Sequence, residues 1–369
     1  MRWLMEDLRA TPGLELQVLA TGMHLSPEFG LTYREIEQAG FAIDARVEML
    51  LSADSSTSVT KSMGLGLIGY ADAYARLAPD LIVVLGDRFE IFAAVAAALI
   101  AGIPVAHLHG GELTEGAFDD AIRHSITKMS HLHFVAAEDY RRRVIQLGEQ
   151  PNRVFLVGGL GIDAIKRTKL LGRQELEASL DFKLGSRNLL VTFHPVTLEG
   201  QSSRQQMAEL LAALGELNDT HLIFTMPNAD TGSRELAGMV DLFVANHPNA
   251  RVYSSLGQLR YLSCLQQVDG VIGNSSSGLT EAPSMAIGTV NIGDRQKGRL
   301  LASSVINCLP QRQAISAAIQ GLYEPNFRSA LVTTVNPYGD GGASRKIVRL
   351  LSCFPLEGIL KKSFHDIPG

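Results

Sequence analysis

The sequence predicts an α/β protein of two doubly wound, Rossmann-like domains facing each other across a cleft, and three observations carry that prediction. The chain has 369 residues, which at about 150 residues per domain makes two domains. Short β-branched apolar runs alternate with helical patterns over most of the length, the mark of parallel sheet. A polar, charged stretch from Lys166 to Arg187 interrupts the series, which then resumes. The expected organisation is 1–180 for the first domain, 181–345 for the second, and 346–369 for a C-terminal helix packing back on the first. Ligands of such sheets bind beyond the carboxyl ends of the strands, so function is expected there.

Residues Met1 to Ala10 open the chain with helical spacing, Trp3, Leu4 and Leu8 sharing a face, where a doubly wound domain begins with a strand. The expectation is that the first strand of this domain is missing. Strands follow at Leu14 to Ala20, Leu81 to Leu85, Ile103 to His107, His131 to Val135 and Val154 to Val157, with helices between them such as Phe89 to Ala101 and Ala137 to Gly148. The second series has strands at Asn188 to Phe193, His221 to Met226, Arg251 to Tyr253, Val268 to Ile272 and Thr289 to Ile292.

Composition excludes several classes of function. Lys plus Arg is 33 and Asp plus Glu 38, a net charge of -5, and no basic block could neutralise a run of phosphates, so nucleic acid is not an expected partner. The longest apolar stretch, Ile91 to Ile103, is too short to span a bilayer, and no membrane association is expected. The amino terminus carries acids among its apolar residues and lacks the regions of a signal peptide, which predicts a cytoplasmic protein. Cys264, Cys308 and Cys353 are odd in number, widely spaced and set in apolar runs, so they read as buried thiols rather than disulfides or metal ligands. Neither a metal nor a cofactor is expected.

Gly64, Gly66 and Gly69 match the dinucleotide fingerprint, with Asp87 lying 18 residues beyond, near the spacing of a ribose-binding acid. The residues before them, Ser58 to Met63, are polar and helical in pattern rather than a strand, which favours glycines that let helices pack closely. The Leu81 to Leu85 run delivers Asp87 and Arg88 to a strand's carboxyl end, where Asp87 either faces a ligand or caps the next helix. The following strand runs into HGGELTEGAFDDAIRH at 109–124, where acids, histidines and an arginine gather. Paired glycines allow close backbone approach, and Asp120, Arg123 and His124 share one helix face. Carboxylates crowded into a cleft raise one another's pKa, which suits Asp87, Glu112 and Asp120 to proton transfer; a solvated acidic loop is the alternative.

In the second half, His194 follows a strand and reads equally as a satisfied strand-end histidine or a catalytic one. At 271–281 a strand ends in Gly273 and Asn274, the hydroxyls of Ser275, Ser276 and Ser277 follow, and a helix opens. Backbone N–H groups and hydroxyls then point at one place, a geometry that holds a phosphate without lysine. Glu281, one and a half turns into that helix, suits a ribose diol, and Arg295 after the next strand suits a diphosphate. Serines that merely cap the helix are the other reading.

These residues resemble the UDP-N-acetylglucosamine 2-epimerase family, and within it the hydrolysing, sialic-acid-pathway branch. The resemblance rests on GDRFE at 86–90, HGGELTEGAFDDAIRHSITKMSH at 109–131, FHPVT at 193–197, GNSSSGLTEAP at 273–283, GDRQKGR at 293–299 and NPYGDG at 336–341. It covers nearly the whole chain and implies a GT-B-type pair of Rossmann-like domains with the nucleotide held mainly by the second. It further implies that Ser275, Ser276, Glu281 and Arg295 bind UDP and that Arg88 reaches the substrate. Asp87, Glu112 and Asp120 would then transfer protons, with Arg123 and His194 supporting charge. The implied reaction converts UDP-N-acetylglucosamine and water to N-acetylmannosamine and UDP through a 2-acetamidoglucal. A homodimer or homotetramer is implied too. Family members open on a strand and a Gly-Thr-Arg-Ala-type turn, absent from this sequence, whose arginine contacts substrate. Two other functions stay open: a non-catalytic UDP-sugar-binding protein, and a GT-B glycosyltransferase.

Overall fold

The computed structural model describes residues 1–53, 55–115, 118–196, 203–227 and 232–367. The chain forms two compact units. The first comprises Met1–Leu113, Phe118–Arg167 and Tyr338–Gly369; the second comprises Thr114–Ala117 and Thr168–Pro337. The main change of unit thus falls at Arg167 and Thr168, ahead of the boundary near 180, because the Arg173–Leu180 helix packs on the Gly257–Gln267 helix of the second unit. The chain returns to the first unit at Tyr338, before the C-terminal helix Ala343–Cys353 begins.

The first unit contains strands β1 (Leu19–Thr21), β2 (Ala45–Val47), β3 (Ile82–Leu85), β4 (Val105–Leu108), β5 (Leu132–Val135) and β6 (Val154–Leu156). All are parallel, but they form a β1-β2 pair and a separate β3-β4-β5-β6 sheet.

Alternation along the strands sorts side chains to the two faces. Val84 and Val105 join one core with Ala45, Val47 and the helices Ser56–Leu77 and Phe89–Ala101. Ala106 and Leu108 join the opposite core with Leu132, Phe134, Leu4 of the Arg2–Arg9 helix, and Ile347 of the C-terminal helix. The fingerprint glycines lie inside the Ser56–Leu77 helix, so no strand-to-helix turn holds a dinucleotide there. A methyl on Gly69 would stand 2.6 Å from Val47 Cγ1, and one on Gly66 would stand 2.7 Å from Met49 Cε. Close packing is therefore what two of the three glycines provide.

The C-terminal helix is fixed by the carboxylate of Asp163, which accepts hydrogen bonds from Gly342 N, from Ala343 N at 3.2 Å and from Ser344 N at 2.6 Å. It caps a helix distant in sequence. The tail beyond it ends on a buried ionic cluster: Glu149 accepts from Lys128 Nζ at 2.6 Å, Lys362 Nζ at 2.7 Å and His133 Nε2 at 2.9 Å. Burial alone would push Glu149 up, yet its hydrogen bonds and the facing cations hold it down at about 2.

The second unit is a six-stranded parallel sheet of order β12-β11-β10-β7-β8-β9. Its strands are β7 (Arg187–Thr192), β8 (Thr220–Thr225), β9 (Ala250–Tyr253), β10 (Gly270–Gly273), β11 (Gly288–Ile292) and β12 (Val305–Cys308). Leu189, Val191, Leu222, Phe224, Ile272 and Val290 centre its core. Sequence patterning finds β7 to β11 and overlooks β2 and β12. Both are edge strands, and the middle residue of β2 and all of β12 are only partly buried or exposed, so neither shows the continuous apolar run that marks the interior strands. The chain progresses from β7 outward to β8 and β9 and then crosses to β10 on the other side. The topological switch point is thus between β7 and β10, the place where open parallel sheets leave a crevice.

Of the cysteines, Cys264 is buried, Cys308 partly buried and Cys353 exposed, so the expectation of three buried thiols fails at Cys353. Its place at the very end of the C-terminal helix explains the difference. No helix among the described residues is long and apolar enough to cross a membrane.

Candidate active site

In the first unit the site is assembled around one buried cation. Arg123, on the Asp119–Met129 helix, is 1% exposed. Its Nη2 donates to Asp87 Oδ2, and its Nη1 donates to the Glu112 carbonyl at 2.8 Å and reaches Asp120 Oδ1 at 3.4 Å. Asp87 follows β3 and Glu112 follows β4, adjacent strands whose carboxyl ends lie side by side. One guanidinium fork thus collects groups from a strand end, a loop and its own helix, a task that needs several fixed donors. The carboxylates of Asp87 and Asp120 pair with this cation, whereas Glu112 meets it through its backbone carbonyl.

Asp87 does not cap the next helix; Arg88 occupies the cap position, with no side-chain cap bond. Arg88 instead pairs with Glu90 Oε2 at 3.3 Å and approaches Met23 Sδ at 3.7 Å. His124 Nε2 lies 3.5 Å from Asp120 Oδ2, as the shared helix face predicts. Burial pushes the His124 pKa down, partly opposed by Asp120. His107, fully buried on β4, places Nε2 at 2.9 Å from the Gly86 carbonyl and so fixes the turn carrying Asp87. Burial lowers it to about 3, so it is a neutral donor at neutral pH.

The sequence assigns no role to His109, which the structure puts beside Glu112 with Nδ1 at 2.8 Å from Oε1. Its φ of 65° is left-handed, unusual for a residue with a Cβ and frequent at functional sites. The sequence signal is the lone non-glycine at a tight turn just before Gly110 and Gly111.

In the second unit the switch point is stitched by Asn274. Its side chain accepts from His194 N at 2.7 Å and donates to the His194 carbonyl at 2.9 Å, tying the end of β7 to the end of β10. The Asn274 carbonyl in turn accepts from Gln296 Nε2 at 2.7 Å and Arg295 Nη1 at 3.2 Å. Gly273 makes this approach possible: with φ 134°, a Cβ would stand 1.9 Å from the Thr192 carbonyl oxygen. His194, Asn274, Ser275 and Arg295 therefore share the carboxyl edge of β7, β10 and β11.

The helix expected after the serines is a single turn, Ser277–Thr280, and Glu281 stands at its C-cap rather than one and a half turns inside. A four-residue helix has little dipole, so an anion here would be held by loop N–H groups and hydroxyls. Ser275 Oγ accepts from Ser277 N at 3.4 Å, and the Tyr261 hydroxyl donates to Ser277 Oγ. Burial, followed by the nearby Glu281, raises the Tyr261 pKa, keeping it a donor. Sequence reasoning misses Asn274, Gln296 and Tyr261 because amides and phenols carry no pattern distinguishing a bridge from a solvated residue. Thr197 of the FHPVT motif and Gly116 and Ala117 of the acidic loop lie outside the described residues. Among the described residues, no group of three or more His, Cys, Asp or Glu side chains is placed to hold a metal ion.

The family model described as UDP-N-acetylglucosamine 2-epimerase matches residues 6–352. The chain belongs to that family. It is 41% identical over 369 residues to the GDP/UDP-N,N'-diacetylbacillosamine 2-epimerase (hydrolyzing) of Campylobacter jejuni, covering 100% of this chain and 95% of that protein. It is also 41% identical over 374 residues to the polysialic acid biosynthesis protein P7 of Escherichia coli, covering 100% and 94% of the two chains. Among solved structures, the UDP-GlcNAc 2-epimerase of Neisseria meningitidis bound to UDP-GlcNAc shares the fold, with TM-score 0.81 at 19% identity over 95% of each chain. The chain is an enzyme of the hydrolysing UDP-sugar 2-epimerase type. Membership favours the first of the three functions open from sequence and sets the glycosyltransferase aside.

Proposed function

We propose that the chain converts UDP-N-acetylglucosamine and water to N-acetylmannosamine and UDP, supplying sialic acid synthesis. The observation that carries this reading is the pairing of the Asp87 and Asp120 carboxylates with buried Arg123, which also binds the backbone carbonyl of Glu112. Removing a carbon-bound proton needs a fixed carboxylate base, and expelling a diphosphate needs an acid or a cation nearby. In the first half-reaction a carboxylate takes the C2 proton, the C1–O bond to the diphosphate breaks, and UDP leaves, forming the C1=C2 bond of 2-acetamidoglucal. In the second, water gives its oxygen to C1 and a proton returns to C2 on the opposite face. Ser275, Ser276, Glu281 and Arg295 are assigned to UDP, and Arg88 and His194 to the substrate's charge.

The 41% identity to a diacetylbacillosamine 2-epimerase supports a second reading, in which the sugar is a diacetamido analogue. Both substrates have the acetamido group at C2 and undergo the same two half-reactions. Turnover of the two UDP-sugars, followed by UDP release, decides between them. The proposal expects the larger kcat/KM on UDP-N-acetylglucosamine; a preference of tenfold or more for UDP-N,N'-diacetylbacillosamine would move the assignment to the second sugar.

A further inference from the structure

We infer that His109 is a positioning residue that orients Glu112 for proton transfer, an inference that rests on the catalytic reading of Glu112 above. Glu112's side chain is 3% exposed and His109's is 20%, so their 2.8 Å contact is shielded from solvent. The other ring nitrogen, Nε2, faces the Leu160 N–H at 3.5 Å. An N–H pointing at Nε2 makes that nitrogen the acceptor and leaves the proton on Nδ1, which donates to Glu112. The imidazole thereby donates to the Glu112 carboxylate and fixes its rotamer.

The backbone around the pair is built to place the ring. His109 N donates to the Phe134 carbonyl at 2.9 Å, locking the residue to β5. Gly111 has φ 79°, and a Cβ there would stand 2.4 Å from the Tyr140 carbonyl oxygen, so the loop folds tightly back before Glu112. Glu112's own carbonyl is held by Arg123 at 2.8 Å. A histidine held in the left-handed region is disfavoured against glycine, so the fold retains an unfavourable conformation to keep an imidazole there.

Three variants test the assignment, assayed as C2 deuterium incorporation and UDP release from UDP-N-acetylglucosamine. His109→Asn keeps a donor near the Nδ1 position and tolerates the left-handed backbone, so kcat stays within about threefold of the parent. His109→Gly relaxes the backbone and removes the donor, so kcat falls about 10- to 100-fold while KM stays within about twofold. A structural role alone would show the reverse, with the glycine variant active and as stable as the parent. In Glu112→Gln the further change His109→Gly adds no loss, because the residue acts through Glu112. Nitrogen-15 spectra of the imidazole read the proton on Nδ1 in the parent independently of turnover. An Nε2-protonated ring, or a glycine variant with parental kcat, overturns the inference. If Glu112→Gln itself turns over at the parental rate, the failure belongs to the role given to Glu112.

Discussion

Arg123 shows what a single residue contributes that composition cannot reveal. The sequence places it on a helix face with Asp120, but the partner that matters most, Asp87, is 36 positions away on another strand end. A helical period is legible locally; a contact between strand ends requires the sheet register. The same limit hides the Asn274 bridge to His194, whose partners are 80 positions apart. Two substitutions separate the proposed proton-transfer group from the proposed nucleotide group. Asp87→Asn preserves shape, so UDP affinity measured by calorimetry stays within about threefold, while turnover falls by about 10²-fold or more. Glu281→Ala, at a partly exposed helix end, weakens UDP binding by about 1 kcal/mol or more and leaves the melting temperature unchanged. Unchanged UDP affinity in the second variant would remove Glu281 from the site.

At the scale of elements, the sequence is most legible where a run is long or deeply buried. Phe89–Ala101 coincides with its expected bounds, and the strands leading to Asp87, Glu112, His194, Asn274 and Arg295 all lie where the runs predict. What the period misses lies at a sheet edge, as with β2 and β12, or is set by tertiary contact, as with the truncated helix after the serines. The glycines of the Ser56–Leu77 helix show how packing overrides a motif. A methyl added to Gly64 would meet nothing within 4 Å, whereas one added to Gly69 would meet the stiff, β-branched Val47. Gly64→Ala should therefore stabilise the protein by up to about 1 kcal/mol, and Gly69→Ala should destabilise it by roughly 1 kcal/mol after the helix-propensity gain. Urea denaturation measures both. Equal effects of the two substitutions would contradict the packing account.

For the whole molecule, two parallel sheets each bring candidate site residues to the carboxyl ends of their strands, one around a buried arginine and one at a topological switch point. Family membership gives a 2-epimerase, the name of the Campylobacter jejuni relative adds hydrolysis, and the chemistry of that class has a distinctive isotopic consequence. Incubated with UDP-N-acetylglucosamine in D2O, the enzyme should release N-acetylmannosamine bearing deuterium at C2, together with free UDP in equal amount and at a rate insensitive to chelator. UDP-N-acetylmannosamine as the labelled product would mean that the diphosphate is retained. Unlabelled N-acetylglucosamine, or a strict requirement for added divalent cation, would contradict deprotonation at C2 by the Arg123-centred carboxylates.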